Sequence, residues 1–141
     1  MNQNAADVAQ FMLGRDNFSQ WLGIELLLVK EKYCKIQMRI RPEMINGLGT
    51  VHGGILFSFA DSALAFSSNN TAEASVALNC TINFIKACKT ADVLIAESQL
   101  VSETRRTGIY EITIRNEQKS LVSKFTGTVY KLNKTIYDLE L

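Results

Sequence analysis

The sequence predicts an α+β fold in which an antiparallel sheet curls around one long central helix. Three observations lead there. Residues 53–70 have helical spacing and are apolar nearly all round, as suits a helix buried inside the protein. A strand pair precedes that helix, and four strand-like runs follow it in succession. A helix without a broad polar face needs cover on most sides, and a sheet wrapped around it supplies that cover.

Taken in order, residues 5–22 read as one or two short helices, an N-terminal helical segment 1–22 of a single domain spanning 1–141. Val8, Phe11 and Met12 fall at helical spacing, and Phe18, Trp21 and Leu22 follow a break at 14–17. Residues 24–31 and 33–41 read as paired strands. In the second, Cys34, Ile36, Met38 and Ile40 alternate with Lys35, Gln37, Arg39 and Arg41, the pattern of a half-buried strand. Pro42, the single proline, ends it. After the helix come runs at 75–86, 92–103, 108–115 and 121–132. Tyr110, Ile112 and Ile114 share one face of the third, and the polar link 116–119 predicts a hairpin between the last two.

Composition narrows the function. The 141 residues are 47% hydrophobic with a net charge of +1, and no apolar run is long enough to span a bilayer. Lys and Arg are scattered among acidic residues without a basic, aromatic-interleaved stripe, so a nucleic-acid partner is not expected. Cys34, Cys80 and Cys88 contain no CxxC pair, and with one histidine neither a disulfide framework nor a metal site is indicated. The first residues lack the basic and apolar blocks of a signal peptide, which leads to the expectation of a cytoplasmic protein without a membrane segment.

Residues 45–61 carry the functional signal. A polar, glycine-rich stretch holds the only histidine, His52, and then turns abruptly apolar. Gly54, Ser58, Asp61, Ala65 and Ser68 recur at three- and four-residue intervals, so they share a small, slightly polar helix face. A carboxylate there is costly unless a donor partners it or a reaction uses it. The spacing alone leaves both a close packing contact and a reactive site open.

Asn46-x-x-Gly49-x-x-His52-Gly53-Gly54, with Asp61 eight residues after Gly53, resembles the active-site signature of the hotdog-fold thioesterases. The match is closest to the PaaI-like (phenylacetate-pathway) acyl-CoA thioesterases, and it extends from about residue 24 to 132. The resemblance implies a hotdog fold, acyl-CoA as substrate with aryl or medium-chain acyl groups, no cofactor, and homodimers or dimers of dimers.

It also implies roles. Unpaired amides at a helix start suit an oxyanion, and the resemblance assigns that part to the Gly53 N–H beside Gly54. Asn46 and His52 would place the thioester or the loop, although a histidine at a helix start also commonly bonds its own backbone. Asp61 would act as nucleophile or as general base on water. A Ser or Thr that holds the water in related enzymes is replaced by Ala65 or Ala77 here, with Ser62 and Thr81 as weaker substitutes. The turn carrying Arg105, Arg106, Thr107 and Gly108 would contact the nucleotide of coenzyme A. Phe11, Phe18 and Trp21 would either cover one end of the core or help close an acyl pocket.

Helix geometry adds one expectation. Gly53 and Asp61 lie roughly 12 Å apart along one helix axis, too far to meet the same carbonyl group. Two antiparallel helices across a two-fold axis resolve this, with Asn46, His52 and Gly53 from one chain and Asp61 from the other. A hotdog hydratase or dehydratase and a non-catalytic acyl-CoA-binding module remain as alternatives. The loop does not match the histidine-bearing motif of the former, and a pure binder gains nothing from a buried carboxylate.

Overall fold

The computed structural model describes residues 4–140. Two short helices, α1 (Ala5–Arg15) and α2 (Asn17–Leu22), lead into β1 (Glu25–Lys30) and β2 (Tyr33–Arg39). A single 3₁₀ turn (Pro42–Met44) follows where the proline halts the strand, and then comes the long helix α3 (Gly53–Ser68). Four strands complete the sheet: β3 (Glu73–Phe84), β4 (Val93–Glu103), β5 (Thr107–Asn116) and β6 (Leu121–Thr135). All pairings are antiparallel, in the order β1-β2-β4-β5-β6-β3.

The predicted architecture is therefore the observed one. α3 packs against β2, β3, β4, β5 and β6. Leu56, Phe59, Ala60, Ala63, Leu64 and Phe66 of α3 are buried against Cys34, Ile36 and Met38 of β2, Ile112 and Ile114 of β5, and Phe125 of β6. These strand residues are the alternating ones, because a pleated strand turns every second side chain to the same face.

The two sheet edges differ. β1 has six residues and its pairing with β2 is interrupted by a register shift between Leu26 and Leu28, with α1 packed against it. β3 has twelve residues and leaves Val76, Leu78 and Phe84 exposed, Leu78 at 65%. A long edge strand with open backbone groups and apolar side chains is a surface suited to pairing with another strand.

The N-terminal segment resolves into two helices with different roles. Asn4 caps α1 by accepting from the Asp7 N–H, and Asp16 caps α2 by accepting from the Ser19 N–H. Val8, Ala9 and Leu22 enter the interior, whereas Phe18 and Trp21 do not. The expectation that these aromatics cover the core holds for neither ring of α2.

Candidate active site

The loop before α3 is held by one side chain. Asn46 Oδ1 accepts from the Leu48 N–H at 2.8 Å and the Thr50 N–H at 3.2 Å, and its Nδ2 donates to Thr50 Oγ1 at 3.2 Å. The Asn46 N–H donates to the Thr50 carbonyl at 2.8 Å, and Ile45 and Val51 bridge beneath it. An asparagine that mimics a backbone turn in this way fixes a loop locally. Gly49 takes φ +82, a left-handed conformation that a side chain would strain. Of the two duties open to Asn46, the structure shows the loop-holding one.

His52 is the N-cap of α3, with Nδ1 accepting from the Gly54 N–H at 2.8 Å. Its own N–H donates to the Met44 carbonyl at 2.9 Å. Accepting at Nδ1 places the proton of the neutral ring on Nε2, at the exposed side of the residue. The cap has a consequence for the amides at the helix start. The Gly54 N–H is occupied, while the Gly53 N–H makes no hydrogen bond among the described residues. One donor therefore stays open at the positive end of the helix dipole.

Gly53 is constrained from the other side. A Cβ there would lie 3.1 Å from Phe84 Cζ and 3.3 Å from Cε1. The sequence points to a glycine that leaves room for a carbonyl; the structure shows in addition that the ring of Phe84 already fills the side-chain position. Nothing local in the sequence signals this contact, because β3 reaches Gly53 only through the folded sheet.

Asp61 lies two turns along α3. Of the five residues expected on one face, Gly54, Ser58, Asp61 and Ala65 stay open or half-buried, while Ser68 is buried and lies 2.9 Å from Ser75 Oγ. The Asp61 carboxylate makes no hydrogen bond or ion pair among the described residues. Burial, and then the negative charge of Asp16, push its carboxyl above the usual aspartate range. Burial, and then the Asp61 charge, raise the half-buried Cys80 thiol of β3. Ser62 is not available to orient water at this carboxylate: its hydroxyl lies 2.8 Å from Ser19 Oγ on the buried side. Thr81 alternates with Cys80 and Ile82 on β3 and is exposed.

Within one chain the remaining predicted residues gather elsewhere. Thr104 and Thr107 close the turn between β4 and β5, with their Oγ1 atoms 2.8 Å apart, and Gly108 is buried at the start of β5. Arg105 and Arg106 are exposed and line an open groove of about 830 Å³ together with Lys131 and Lys134. β6 leads from Ser123, paired with Phe84 near Gly53, to Lys131, paired with Ser75 beyond the far end of α3. α3 has 16 residues, so about 24 Å of helix separates the arginine turn from the glycines of the same chain. Among the described residues no three His, Cys, Asp or Glu side chains gather where they could hold a metal ion.

A helix start with one open amide, a half-buried carboxylate two turns on, and a surrounding antiparallel sheet can be compared with known proteins. The family profile of the thioesterase superfamily matches residues 48–123, which contain the helix start, Asp61 and the arginine turn. The chain belongs to that superfamily. It is 35% identical to the acyl-coenzyme A thioesterase PaaI of Escherichia coli, over 96% of this chain and 97% of that protein. The structure of E. coli PaaI, from the phenylacetic acid degradation operon, superposes with a TM-score of 0.91 and 34% identity, covering 93% of this chain and 95% of that one. A Streptococcus mutans structure bound to acetyl-CoA matches at a TM-score of 0.77 and 25% identity, covering 79% of this chain and 90% of that one. The expected hotdog architecture and membership of the PaaI-like thioesterases thus hold, and the chain is a thioester hydrolase.

Proposed function

We propose that this thioesterase hydrolyses acyl-CoA, with aryl or medium-chain acyl groups as its range, at a site shared between two copies of the chain. The observation that carries the reading is the division of labour at the start of α3. His52 occupies the Gly54 N–H, and the neighbouring Gly53 N–H stays open.

In this mechanism the thioester oxygen accepts from the Gly53 N–H, where negative charge develops as the carbonyl carbon becomes tetrahedral. His52 holds the helix start and offers Nε2–H toward the bound substrate. Asn46 keeps the loop in shape. Asp61 either attacks the carbonyl carbon, expelling the coenzyme A thiolate and leaving a mixed anhydride for water to cleave, or removes a proton from the attacking water. On either route the thiolate leaves and is protonated, and the acyl group departs as the acid. That the Asp61 carboxylate has no partner among the described residues favours a reactive role over a structural one.

A shared site is supported by the separation of Gly53 from Asp61 along α3 and by the long open edge of β3. Pairing through that edge about a two-fold axis would set Asp61 of one chain against Gly53 of the other. It would also bring the cationic turn at 105–106 nearer the opposite helix start, where the phosphates of coenzyme A would need it. The S. mutans neighbour's bound acetyl-CoA supports the substrate class. A cytoplasmic location belongs to the same reading, consistent with no helix among the described residues being long and apolar enough to cross a membrane.

The test is thiol release over a panel of acyl-CoA thioesters, followed by mixing inactive Asn46→Ala and Asp61→Asn proteins through co-expression. In a mixed dimer one site inherits both lesions and the other is intact. Random pairing should restore about a quarter of wild-type activity. Mixed dimers that form yet stay at the background of the single variants would overturn the shared site. Absence of release from every acyl-CoA tested would overturn the substrate class.

A further inference from the structure

The two N-terminal helices treat their aromatic residues differently. On α1, Phe11 packs on Tyr137 with ring centroids 4.9 Å apart, and the Arg15 guanidinium lies 5.0 Å from the Phe11 ring centroid. On α2, Phe18 and Trp21 are 52% and 48% exposed. Their rings are 26° from parallel and 6.0 Å apart, centroid to centroid. The Arg41 guanidinium sits 4.8 Å from the Trp21 ring and donates to Glu43 through Nε at 2.5 Å. Two large apolar rings held in a fixed pose at the surface need an explanation other than core packing.

Both rings line a groove of about 300 Å³ whose other wall includes His52, Gly54, Ile55 and Ser58. That wall is the start of α3, so the groove runs along the first turns of the helix that begins at Gly53. The pose of α2 against α3 is fixed by buried hydroxyls: Ser19 Oγ donates to Asp16 Oδ2 at 2.5 Å and lies 2.8 Å from Ser62 Oγ. The groove is unsuited to phosphates. Glu43 lies at its rim, and the nearby Arg41 is already engaged by Glu43 and Trp21. The cations that suit a nucleotide line the other groove, at Arg105, Arg106, Lys131 and Lys134.

We propose that Phe18 and Trp21 form the wall that receives the acyl group and favour a flat aryl group over a short acyl chain. The inference rests on the acyl-CoA thioesterase reading. A thioester whose oxygen meets the Gly53 N–H has its two substituents leaving in different directions. The anionic one belongs with the arginine turn, and the apolar one with this groove. Its volume lies at the lower end of small-ligand sites, which suits one ring rather than a whole cofactor. Stacking on Trp21 and Phe18 supplies attraction that an acetyl group is too small to gain.

Trp21 is the only tryptophan in the chain, so intrinsic emission reports on this wall directly. The probes are a non-hydrolysable phenethyl-CoA thioether, an ethyl-CoA thioether and coenzyme A alone. The expected result is a saturable change in emission with the phenethyl compound and little change with the other two. In parallel, Trp21→Ala and Phe18→Ala should lower kcat/KM for phenylacetyl-CoA about tenfold more than for acetyl-CoA, mainly through KM. Phe11→Ala, at the other end of the segment, should leave that ratio unchanged. Equal losses for both substrates, or binding of the phenethyl thioether with unaltered emission, would overturn the wall even if hydrolysis is intact. An emission change without turnover of any acyl-CoA would keep the aryl site and remove the hydrolytic reading instead.

Discussion

The last turns of α3 and the stretch from its start to its middle hold polar groups in opposite conditions. Toward its C-terminus, Ser67 Oγ lies 2.8 Å from the Ala63 carbonyl, 2.7 Å from Ser98 Oγ and 3.1 Å from Cys34 Sγ. The Cys34 N–H donates to Ser98 Oγ at 2.9 Å. Cys34, Ser67 and Ser98 are all buried, and burial pushes the Cys34 thiol up to about 11 against the hydrogen bonds of Ser67 and Ser98. At its first residue and at its middle, the Gly53 N–H and the Asp61 carboxylate are half-buried and have no partner among the described residues. The first cluster is what a buried polar group requires in order to be tolerated. The second lacks that satisfaction among the described residues. The same helix thus separates polarity that holds the fold from polarity that the proposed mechanism assigns to the substrate.

The contrast breaks most visibly at Asp61. Asp61→Asn should lower kcat by a factor of about 10² or more. Because burial raises its carboxyl, the folded state holds the proton more tightly than the unfolded chain does. Stability contributed by that proton falls as pH rises from the ordinary aspartate range through the raised value. The asparagine variant should lose this pH dependence and be no less stable than wild type at neutral pH. A normally folded variant with near wild-type kcat would remove Asp61 from the chemistry.

Gly53→Val should come next, with kcat lowered about tenfold or more. The added Cβ would press on the Phe84 ring and displace the open amide. Stability should suffer less, since Phe84 is exposed and free to swing away. Adding Phe84→Ala to the valine variant should restore part of the rate; no recovery would mean that the valine itself blocks the carbonyl.

Ser67→Ala addresses the other end of the helix. It should cost about 1–3 kcal/mol in denaturant unfolding, because it strips partners from buried groups, and should leave kcat unchanged. A loss of rate with stability intact would dissolve the distinction between the two ends.

The smallest effect is expected from Asp16→Asn. Asparagine still caps α2, but the negative charge that helps raise Asp61 is gone. The acid limb of the kcat/KM profile should therefore move to lower pH. A limb that stays in place, or moves up, would show that Asp16 does not act on the titrating group.

Most of the fold was legible in the sequence because alternation and helical spacing report burial directly. Cys34, Ile36, Met38 and Ile40 are all buried as their alternation predicts. The open stripe on α3 was legible for the same reason, apart from Ser68, which pairing with Ser75 draws inside. What could not be read was which atoms are already spoken for. That Asn46 spends its amide on Leu48 and Thr50, that His52 consumes the Gly54 amide, and that Ser62 serves Ser19 are facts of geometry, not of residue type. Phe84 was invisible as a site residue because its contact with Gly53 crosses a distance in sequence that no local pattern spans. The aromatic residues of the N-terminal segment look alike as letters, yet only those of α2 remain at the surface.

The unequal edges of the sheet bear on how far assembly can proceed. A chain with two long, open edges could add copies at both, and head-to-tail addition of that kind has no natural end. Here β1 is six residues long, exposes Leu27 and Leu28 and is backed by α1, whereas β3 runs for twelve residues with Val76, Leu78 and Phe84 exposed, which makes β3 the longer and more open edge. A second copy docked there edge to edge uses the same strand on both sides and consumes it. In the shared-site reading proposed above, growth along the sheet would then terminate at two chains, with the short, helix-backed opposite edge as the guard against a ribbon.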